Sequence, residues 1–428
     1  MKALIQYIKQ RNLFAVRLSK AIKDTLTITL KEYRLVFRDS GVLIIFVGAS
    51  LIYPLLYCTL YKNETLYDVP VAVVDHSHSV RSRELIRKMD ATPELKVAVL
   101  FDNLEQAKCA FERREIHGVI YVPEDYSEKI NRMEQATIST YCDMSSFLYY
   151  RAMTLATNYA VLNAGEKIEM ERLHAAGMAG KSAEVSVHPM TFEDNILYNN
   201  GMGFASFLMP AVLILILHQT LFFGISMLAG TAREENRFRS LLPVDSKKRH
   251  LLQLITGKSM CYFSLYAVLT AYILGVIPRL FNLPHIGQPV ALIGMAIPFL
   301  LATIFFSMTV SVFMRNRETG MVFFLFFSLI LLFISGFSWP RSNMPSFWLA
   351  ISWLFPATHG IQGYLKINSM GATLRQISFE YISLWILAAI YFVTTLIAYA
   401  WQIRSCRLRT AESGKDAVGL SNTITTIN

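Results

Sequence analysis

Apolar runs long enough to cross a membrane are unevenly distributed along this chain. One lies at 41–61, about 140 residues follow without another, and five more crowd between 203 and 402. A helix needs about 20 apolar residues to cross about 30 Å of hydrocarbon. The runs of this length are 41–61, 203–229, 259–277, 290–314, 320–339 and 381–401. None contains Asp, Glu, Lys or Arg, whereas helices of a soluble core keep a polar stripe, so the pattern predicts six transmembrane helices.

The segment between the first two runs, 62–200, alternates short apolar stretches with amphipathic ones. We predict strands at 69–74, 95–100, 117–122 and 137–141, helices at 80–89 and 103–114, and a long helix after Ser145. Pro123 is expected at the first position of a further short helix. The predicted fold is an α-helical polytopic membrane protein with six transmembrane helices and an inserted α/β domain, which is large enough for its own core.

Charge indicates the orientation of these runs. The segments 1–40, 230–258, 315–318 and 402–428 together contain 22 Lys and Arg against 9 Asp and Glu, whereas 62–200 contains 15 against 21. Lys and Arg are enriched on the cytoplasmic side of a membrane protein. We therefore expect both termini in the cytoplasm and 62–200 as an extracytoplasmic domain. The net charge of +10 then reflects topology, and no nucleic-acid partner is expected.

The pattern of residues 1–40 predicts a basic amphipathic helix ahead of the first run. Basic residues lie on the faces of this helix that the apolar residues leave free. The apolar residues recur every three or four positions at Phe14, Leu18, Ile22, Leu26, Leu30 and Tyr33. Such a helix lies against lipids at the inner membrane interface, and the alternative is a helix packed on a cytoplasmic partner. The run at 41–61 lacks a small-residue cleavage site after it, so we expect an uncleaved anchor.

Candidate metal ligands and thiol pairs are few. His76 and His78 have the spacing of two ligands on one face of a strand, but they follow the end of the predicted strand, which favours a solvated turn. Cys109 and Cys142 would lie in an oxidising compartment under this topology, where a disulfide between them is one interpretation and two small buried residues are the other. We expect no metal and no cofactor.

Two Gly-Lys-Ser triplets, at 257–259 and 180–182, resemble the end of a phosphate-binding loop. That loop also needs a glycine five residues before the second one, so that consecutive amides wrap the phosphates. The required positions hold Leu252 and Ala175. We therefore expect no catalytic residues and no ATP hydrolysis by this chain.

The predicted spans also lack the charged residues that proton- and sodium-driven carriers place within the membrane. Their conspicuous polar pair is His218 and Gln219. A buried histidine is more commonly a hydrogen-bonded packing residue, and a contact in a transport pathway is the alternative. An uncharged pathway favours a hydrophobic or amphiphilic substrate, drug-like or lipid-like, and energy supplied by another subunit.

The loop at 230–258 joins an alternating charge cluster to an apolar stretch. Positive-inside anchoring explains its Lys and Arg but not its interleaved Glu or its Leu-Leu-Pro sequence. We therefore interpret the loop as a docking site for a second subunit. The residues expected to make this contact are Arg233, Glu234, Glu235, Arg237, Phe238, Arg239, Leu241, Leu242 and Pro243.

This loop resembles the coupling segment of permease subunits of the ABC-2 family of ABC transporters, in which a short helix sits on the ATPase. Glu234 corresponds to the last Glu of the family's charge cluster, 241–243 to its Leu-Leu and Pro, and Lys258 to the Lys that opens the third span. The chain departs from the family at 236–237, where the family has Gly-Thr, and at Arg239, where it has Glu.

A closer resemblance to the same family follows the fifth run. The matching and anchoring residues are Gly336, Pro340, Met344, Pro345, Trp348, Trp353 and Pro356. The run 346–355 is too short to span and is bounded by prolines, so 340–358 predicts a re-entrant or interfacial hairpin on the outer side, anchored by its two tryptophans. Its expected role is to cap the outer mouth of the pathway.

The resemblance covers the chain in outline and implies its location and partners. It implies a permease of a bacterial inner-membrane exporter that pairs with a second permease subunit, identical or different, and binds a separate ABC ATPase. Related exporters with an extracytoplasmic domain often work with a membrane-fusion adaptor. Residues 403–428 would form a cytoplasmic tail, disordered over 415–428. A non-transporting envelope scaffold or receptor-like protein of the same layout is the alternative.

Overall fold

The computed structural model divides the chain into two units. It describes residues 2–178, 180–190, 193, 195–199, 201–235 and 248–425, with side chains except those of 2–18, 248–250, 324, 325, 327 and 406–425. One unit comprises Met1–Lys62 and Ala205–Asn428, and the other comprises Asn63–Phe204. The first is helical, and the second, here called the inserted domain, contains the β-sheet.

The inserted domain is built on a four-stranded mixed sheet. Its strands are β1 (Val69–Asp75), β2 (Leu95–Phe101), β3 (Gly118–Val122) and β4 (Ser139–Cys142), in the order β2-β1-β3-β4. β1 is parallel to both of its neighbours, and β4 is antiparallel to β3. All four strands lie where the apolar stretches predicted them.

Helices cover both faces of this sheet because parallel strands need crossover connections. The helices are Val80–Asp90, Leu104–Glu112, Tyr126–Asn131, Phe147–Ala175 and Lys181–Val187. Val71 and Val73 pack towards Met89 and Met153 on one face, whereas Ala72 and Val74 pack towards Leu104–Glu112 on the other. Alternate residues of β1 thus enter two separate apolar cores, as the two-residue period of a strand requires.

A short helix, Tyr126–Asn131, follows β3 in the inserted domain. The short helix begins at Tyr126 with Asp125 as its N-cap, so the placement of Pro123 at its first position was wrong. The Pro123 carbonyl instead accepts from the Tyr126 amide in a preceding turn, at 3.2 Å.

Cys109 and Cys142 are free thiols. They cannot pair because the helix of Cys109 packs on one face of the sheet and Cys142 contacts the core on the other.

His76 and His78 lie in the turn that follows β1. The Asp75 carboxylate accepts the backbone N–H groups of Ser77 and His78 at 3.0 and 3.2 Å, and His76 Nε2 lies 3.0 Å from the carbonyl oxygen of Asp102. Within the described ranges no group of three or more His, Cys, Asp or Glu could hold a metal ion. The two histidines lie in a turn closed by hydrogen bonds to Asp75 and Asp102.

Six helices in the described residues are long and apolar enough to cross a membrane, which confirms the predicted fold class. They are Ser40–Leu60, Phe204–Glu234, Leu251–Leu280, Pro289–Ser311, Arg317–Ile334 and Ser378–Ser405, and are called spans one to six. An elbow helix, Lys2–Arg38, precedes span one, and two short helices, Ser346–Ser352 and Pro356–Met370, separate spans five and six. Spans one and three contain π-helical turns at Ile44–Ala49 and Ala271–Val276.

Span two lies at the centre of the helical unit's core, and its side chains are buried along nearly all of its length. Gly224 allows span one to approach it, because a Cβ there would lie 1.8 Å from the ring of Phe46. The Phe46 ring meets Tyr266 of span three edge-on at 5.3 Å. Spans one, two and three therefore pack around one aromatic side chain.

The last helix is longer than the sequence indicated. It runs from Ser378 to Thr425, so the disorder expected for 415–428 was wrong up to that point. The stretch after Trp401 contains no proline and several good helix formers, which allows a helix to continue beyond the apolar run. With 48 residues, the helix is more than twice as long as the roughly 20 residues that the membrane requires.

Candidate coupling site

The end of span two is fixed to the end of span four through Arg233. Its guanidinium donates to the carbonyl of Met314 at 2.9 Å and to that of Val312. With its amide oxygen turned towards Arg233, Gln402 of span six accepts from the same guanidinium at 3.2 and 3.3 Å. These carbonyls follow the last turn of span four and would otherwise lack helical donors. Arg233 thus holds the first residues of the predicted coupling loop against two other spans.

A second set of contacts joins spans one, two and five. Arg317, at the start of span five, donates to both carboxylate oxygens of Asp39 at 2.8 and 2.9 Å. The backbone N–H of Arg317 donates to Glu234 at 2.9 Å. Asp39 also caps span one by accepting the N–H groups of Gly41 and Val42 at 3.0 and 3.2 Å. We call Asp39, Arg233, Glu234 and Arg317 the anchor cluster.

The anchor cluster keeps the Asp39 carboxylate ionised. Partial burial opposes ionisation, but the hydrogen bond from the Arg317 side chain and those from the amides of Val42 and Gly41 outweigh it, so the pKa of Asp39 lies below its ordinary value. A carboxylate that accepts from an arginine fork and two backbone donors is a strong, geometrically defined contact. Asp39 is therefore a fixed point to which span five is attached.

The anchor cluster also brings together segments that are far apart in the sequence. Asp39 belongs to 1–40, Arg233 and Glu234 belong to 230–258, and Arg317 belongs to 315–318. These are three of the four segments in which Lys and Arg exceed Asp and Glu. Their contacts put them at one end of the helical unit, as a positive-inside distribution requires.

The remaining predicted docking residues begin where the anchor cluster ends. Glu235 is exposed. Its backbone N–H donates to the Thr231 carbonyl at 3.0 Å, which continues the helix of span two. Arg237, Phe238, Arg239, Leu241, Leu242 and Pro243 lie outside the described residues. Within the chain, the Arg233 and Glu234 side chains contact the ends of other spans. The docking assignment of the predicted set stays a prediction.

The elbow helix is attached to span three by a buried ion pair. Glu32 is 1% exposed and accepts from Lys258 Nζ at 2.8 Å and from the Tyr262 hydroxyl. Thr29 donates to the carbonyl of Gly257 at 3.0 Å. A Cβ on Gly257 would approach Ile28 to 2.8 Å, so the two helices touch where one lacks a side chain.

An adjoining face of the elbow helix carries part of the predicted apolar stripe. Tyr33 of that stripe instead shares a hydrogen bond with Ser264 of span three, and the side chains of Phe14 and Leu18 lie outside the described ones. Ile22, Leu26 and Leu30 are 53%, 46% and 65% exposed, while Thr29, Glu32 and Val36 are buried against the unit. The helix thus packs through a partly polar face and leaves apolar side chains outside. This arrangement agrees with a helix that lies at a membrane interface.

The proline-bounded hairpin begins with a turn at the end of span five. Gly336 has a φ of 78°, which glycine adopts without steric cost. A Cβ there would lie 2.3 Å from Arg341, so the Arg341 side chain packs directly over the turn. Gln362 donates to the carbonyl of Ser335 at 2.9 Å, which ties the end of span five to the second hairpin helix.

The two hairpin helices differ in burial. The helix Ser346–Ser352, which follows Met344 and Pro345, has only seven residues and presents Trp348, 47% exposed, on its surface. Trp353 follows it and is 43% exposed. The helix that begins at Pro356 is instead largely buried and continues to Met370, well beyond the predicted hairpin limit of 358. At about 1.5 Å per residue, neither helix is long enough to cross a membrane.

Close packing against span four explains the burial of the second hairpin helix. A Cβ on Gly360 would lie 2.6 Å from Phe299, and one on Gly363 would lie 2.9 Å from Met295. Glycines three residues apart therefore let the helix backbone approach span four, as small residues do between membrane helices. The hairpin is held by this helix, and its tryptophan-bearing part stays at the surface.

His218 and Gln219 lie inside the helical unit. They are 1% and 6% exposed, and the His218 ring packs on Phe306 with centroids 5.7 Å apart. No described group hydrogen-bonds to either ring nitrogen of His218 or to Gln219 Nε2. Such groups are costly to bury unpaired, so this pair remains a candidate for a polar point in the pathway.

Sequence reasoning missed Asp39, Arg317 and Glu32 as site residues. Asp39 lies two residues before the apolar run at 41–61, which is where an N-cap residue is expected. Arg317 and Glu32 were counted only as charges, since nothing in their neighbourhood identifies a partner hundreds of residues away. Their roles depend on which helix ends meet.

Six membrane-length helices and an inserted α/β domain define a multi-pass membrane protein. A family model described as ABC-2 family transporter protein matches residues 40–397. The chain belongs to this family and is an ABC-2 type permease, a membrane component that associates with an ABC ATPase. No curated protein sequence matches the chain.

Proposed function

We propose that this protein is the permease subunit of an ABC-2 type exporter, which pairs with a second permease chain and is driven by a separate ATPase subunit. The observation that carries the proposal is the anchor cluster, because it connects the end of span two, which precedes the segment 236–247, to spans one, four and five. Force applied to that segment would reach three spans at once through Arg233, Glu234 and Arg317.

The coupling mechanism follows from this connection. The segment joins spans two and three, and Lys258 fixes the beginning of span three to the elbow helix. Nucleotide-driven closure of the ATPase subunits would displace the segment, and the fixed helix ends would move as a group rather than singly. Two permease chains moving in this way would open a path between them.

The substrate and further partners are proposed from the surfaces of the helical unit. The six spans are apolar, and His218 and Gln219 are the polar pair buried in span two, which suits a hydrophobic or amphiphilic substrate. Trp348 and Trp353 suit an interfacial position for the hairpin, where it would cap the outer mouth. The inserted domain would lie outside the cell's inner membrane and contact the substrate or a membrane-fusion adaptor.

Charge reversal at Arg237 tests the docking assignment. We expect Arg237→Glu to reduce co-purification of the ATPase with the full-length permease at least tenfold in mild detergent, because reversing one charge replaces an attraction by a repulsion at the contact. Arg233 is unsuitable for this test since its guanidinium holds two carbonyls of the same chain. The measurement is the ATPase-to-permease ratio after affinity purification.

Arg375→Glu is the matched control for this reversal. Arg375 is exposed in the loop between the second hairpin helix and span six, at the other end of the proposed topology, and its variant should retain the wild-type ratio. Equal ratios for Arg237→Glu and wild type would contradict the docking assignment. Absence of any bound ATPase from wild type would favour the scaffold alternative.

Native thiols test the proposed orientation. Cys109 is exposed in the inserted domain, whereas Cys58 and Cys261 are buried in the spans. A membrane-impermeant maleimide should label intact spheroplasts through Cys109, and Cys109→Ser with Cys142→Ser should abolish that labelling. Permeabilisation should then expose Cys406 of the proposed cytoplasmic tail. Labelling of the double variant before permeabilisation would contradict the topology.

A further inference from the structure

A surface groove between spans three and four points to a lipid site that is separate from the proposed transport pathway. The groove has a volume of about 270 Å³ and is lined almost wholly by apolar atoms. Its lining includes side chains of both spans, among them Phe263, Ala267, Leu274, Leu292, Ala296 and Leu300. Val268 and Val276 beside the groove and Ile293 in its lining are 71%, 51% and 63% exposed, so the groove opens on the surface of the helical unit.

The length of the groove matches one leaflet of a membrane. On span four its lining runs from Pro289 to Leu300 along a single helical face, which is about 16 Å at 1.5 Å per residue. Half of a hydrocarbon core of about 30 Å is about 15 Å. An acyl chain lying in the groove would therefore reach from the interface to about the bilayer centre.

The π-helical turn of span three shapes the middle of the groove. Ala271, Leu274 and Gly275 of this turn all line it, and a Cβ on Gly275 would meet nothing within 4 Å. π-helical turns widen a helix locally and often occur at functional sites. The open space beside Gly275 is thus part of the groove and can be filled by substitution without displacing the backbone.

One end of the groove is cationic. Arg279 and His285 line both the groove and an adjoining polar cavity of about 480 Å³. His285 Nδ1 lies 2.6 Å from Asn368 Oδ1, which holds the imidazole at the junction. Among the described residues that line the two cavities none is Asp or Glu. Arg279 stands one residue from the end of span three, where an arginine reaches the headgroup region.

We propose that this groove binds one anionic phospholipid, with an acyl chain between spans three and four and its phosphate at Arg279 and His285. A zwitterionic lipid would fill the apolar part equally well but would lack the net charge that complements the unbalanced guanidinium. An interfacial arginine favours an anionic headgroup by roughly fivefold. The site therefore selects lipids by headgroup charge.

Competition between two lipids tests this site directly. The purified full-length chain is incubated in detergent with equal amounts of phosphatidylglycerol and phosphatidylcholine of identical acyl chains, and bound lipids are counted by native mass spectrometry. We expect wild type to retain phosphatidylglycerol about fivefold over phosphatidylcholine. Arg279→Gln should reduce this ratio to about one while keeping the total bound lipid. Gly275→Phe should remove both lipids from the site.

Matched controls separate the site from general membrane contact. Arg375→Gln removes an exposed cation from another loop, and Val268→Phe enlarges an exposed residue of the same span; both should behave as wild type. Ala271→Phe supplies a second groove-filling variant if Gly275→Phe fails to fold. Unchanged lipid ratios in Arg279→Gln, or unchanged lipid in both groove-filling variants, would overturn the proposal. The proposal would also be overturned if wild type were a dimer and the groove-filling variants were monomers, because a second chain would then occupy the groove.

Discussion

Replacing Glu32 by alanine is expected to cost about 3–5 kcal/mol of stability, because it leaves a buried ammonium without its partner. Lys258 Nζ lies 2.8 Å from Glu32, and the two side chains are 14% and 2% exposed. The change would also remove the acceptor of the Tyr262 hydroxyl. The elbow helix should then detach from span three. Unfolding of the full-length protein by SDS titration in mixed micelles measures the loss.

Removing the whole polar group distinguishes the ion pair from simple packing. Glu32→Leu combined with Lys258→Met and Tyr262→Phe leaves no buried charge unpaired and should recover most of the lost stability. Lys23→Ala, at an exposed position of the same helix, should change stability by less than about 0.5 kcal/mol. If Glu32→Ala matched Lys23→Ala, the ion pair would not attach the elbow helix.

Replacing Arg317 by alanine should destabilise the protein by about 1.5–3 kcal/mol, the range for hydrogen bonds to charged groups. The substitution deletes both bonds to Asp39 and leaves that carboxylate with its two backbone donors only. Span five would then lose its side-chain connection to span one. Arg317→Lys should keep only part of the stabilisation, because an ammonium cannot donate two parallel hydrogen bonds to the carboxylate as a guanidinium does. The same SDS titration reports the change.

A double-mutant cycle tests whether Asp39 and Arg317 interact, and the pH dependence of stability reports the ionisation of Asp39. Asp39→Asn keeps an oxygen for the N-cap, so its combination with Arg317→Ala should be less destabilising than the two single changes added together. The native pKa of Asp39 is lowered from 3.8, so its contribution is fully present above that value and is lost as pH falls through the native pKa. Strict additivity of the two changes at pH 7 would mean that the ion pair carries no energy.

The coupling site shows how far sequence reasoning reached. The charge alternation at 233–239 indicated a docking loop, and the structure attaches the beginning of that loop to span four through Arg233 and to span five through Glu234. The sequence could not separate the residues with partners in the chain from those expected to meet another subunit. That distinction depends on where the ends of spans four and five lie, and no local pattern encodes it.

The hairpin and the last helix show a related limit. Proline spacing predicted that 346–355 is too short to span, and the helix found there, Ser346–Ser352, has seven residues. The spacing did not indicate that the helix beginning at Pro356 would continue to Met370, because the burial of Gly360 and Gly363 depends on the shape of span four. At the C-terminus, the end of the apolar run at Trp401 was not the end of the helix, since hydropathy reports the membrane boundary and not the backbone conformation beyond it.

By itself, the sequence determined the six membrane-length helices, the inserted α/β domain and the family to which the chain is similar. Composition and short periodic patterns determine these features, because each such pattern extends over a single helix or strand. Tertiary structure alone decided that Asp39 meets Arg317, 278 residues away, that Glu32 meets Lys258, and that spans three and four leave a groove with a cation at one end. Such contacts arise from the close packing of distant segments, so they exist only once the helices have assembled.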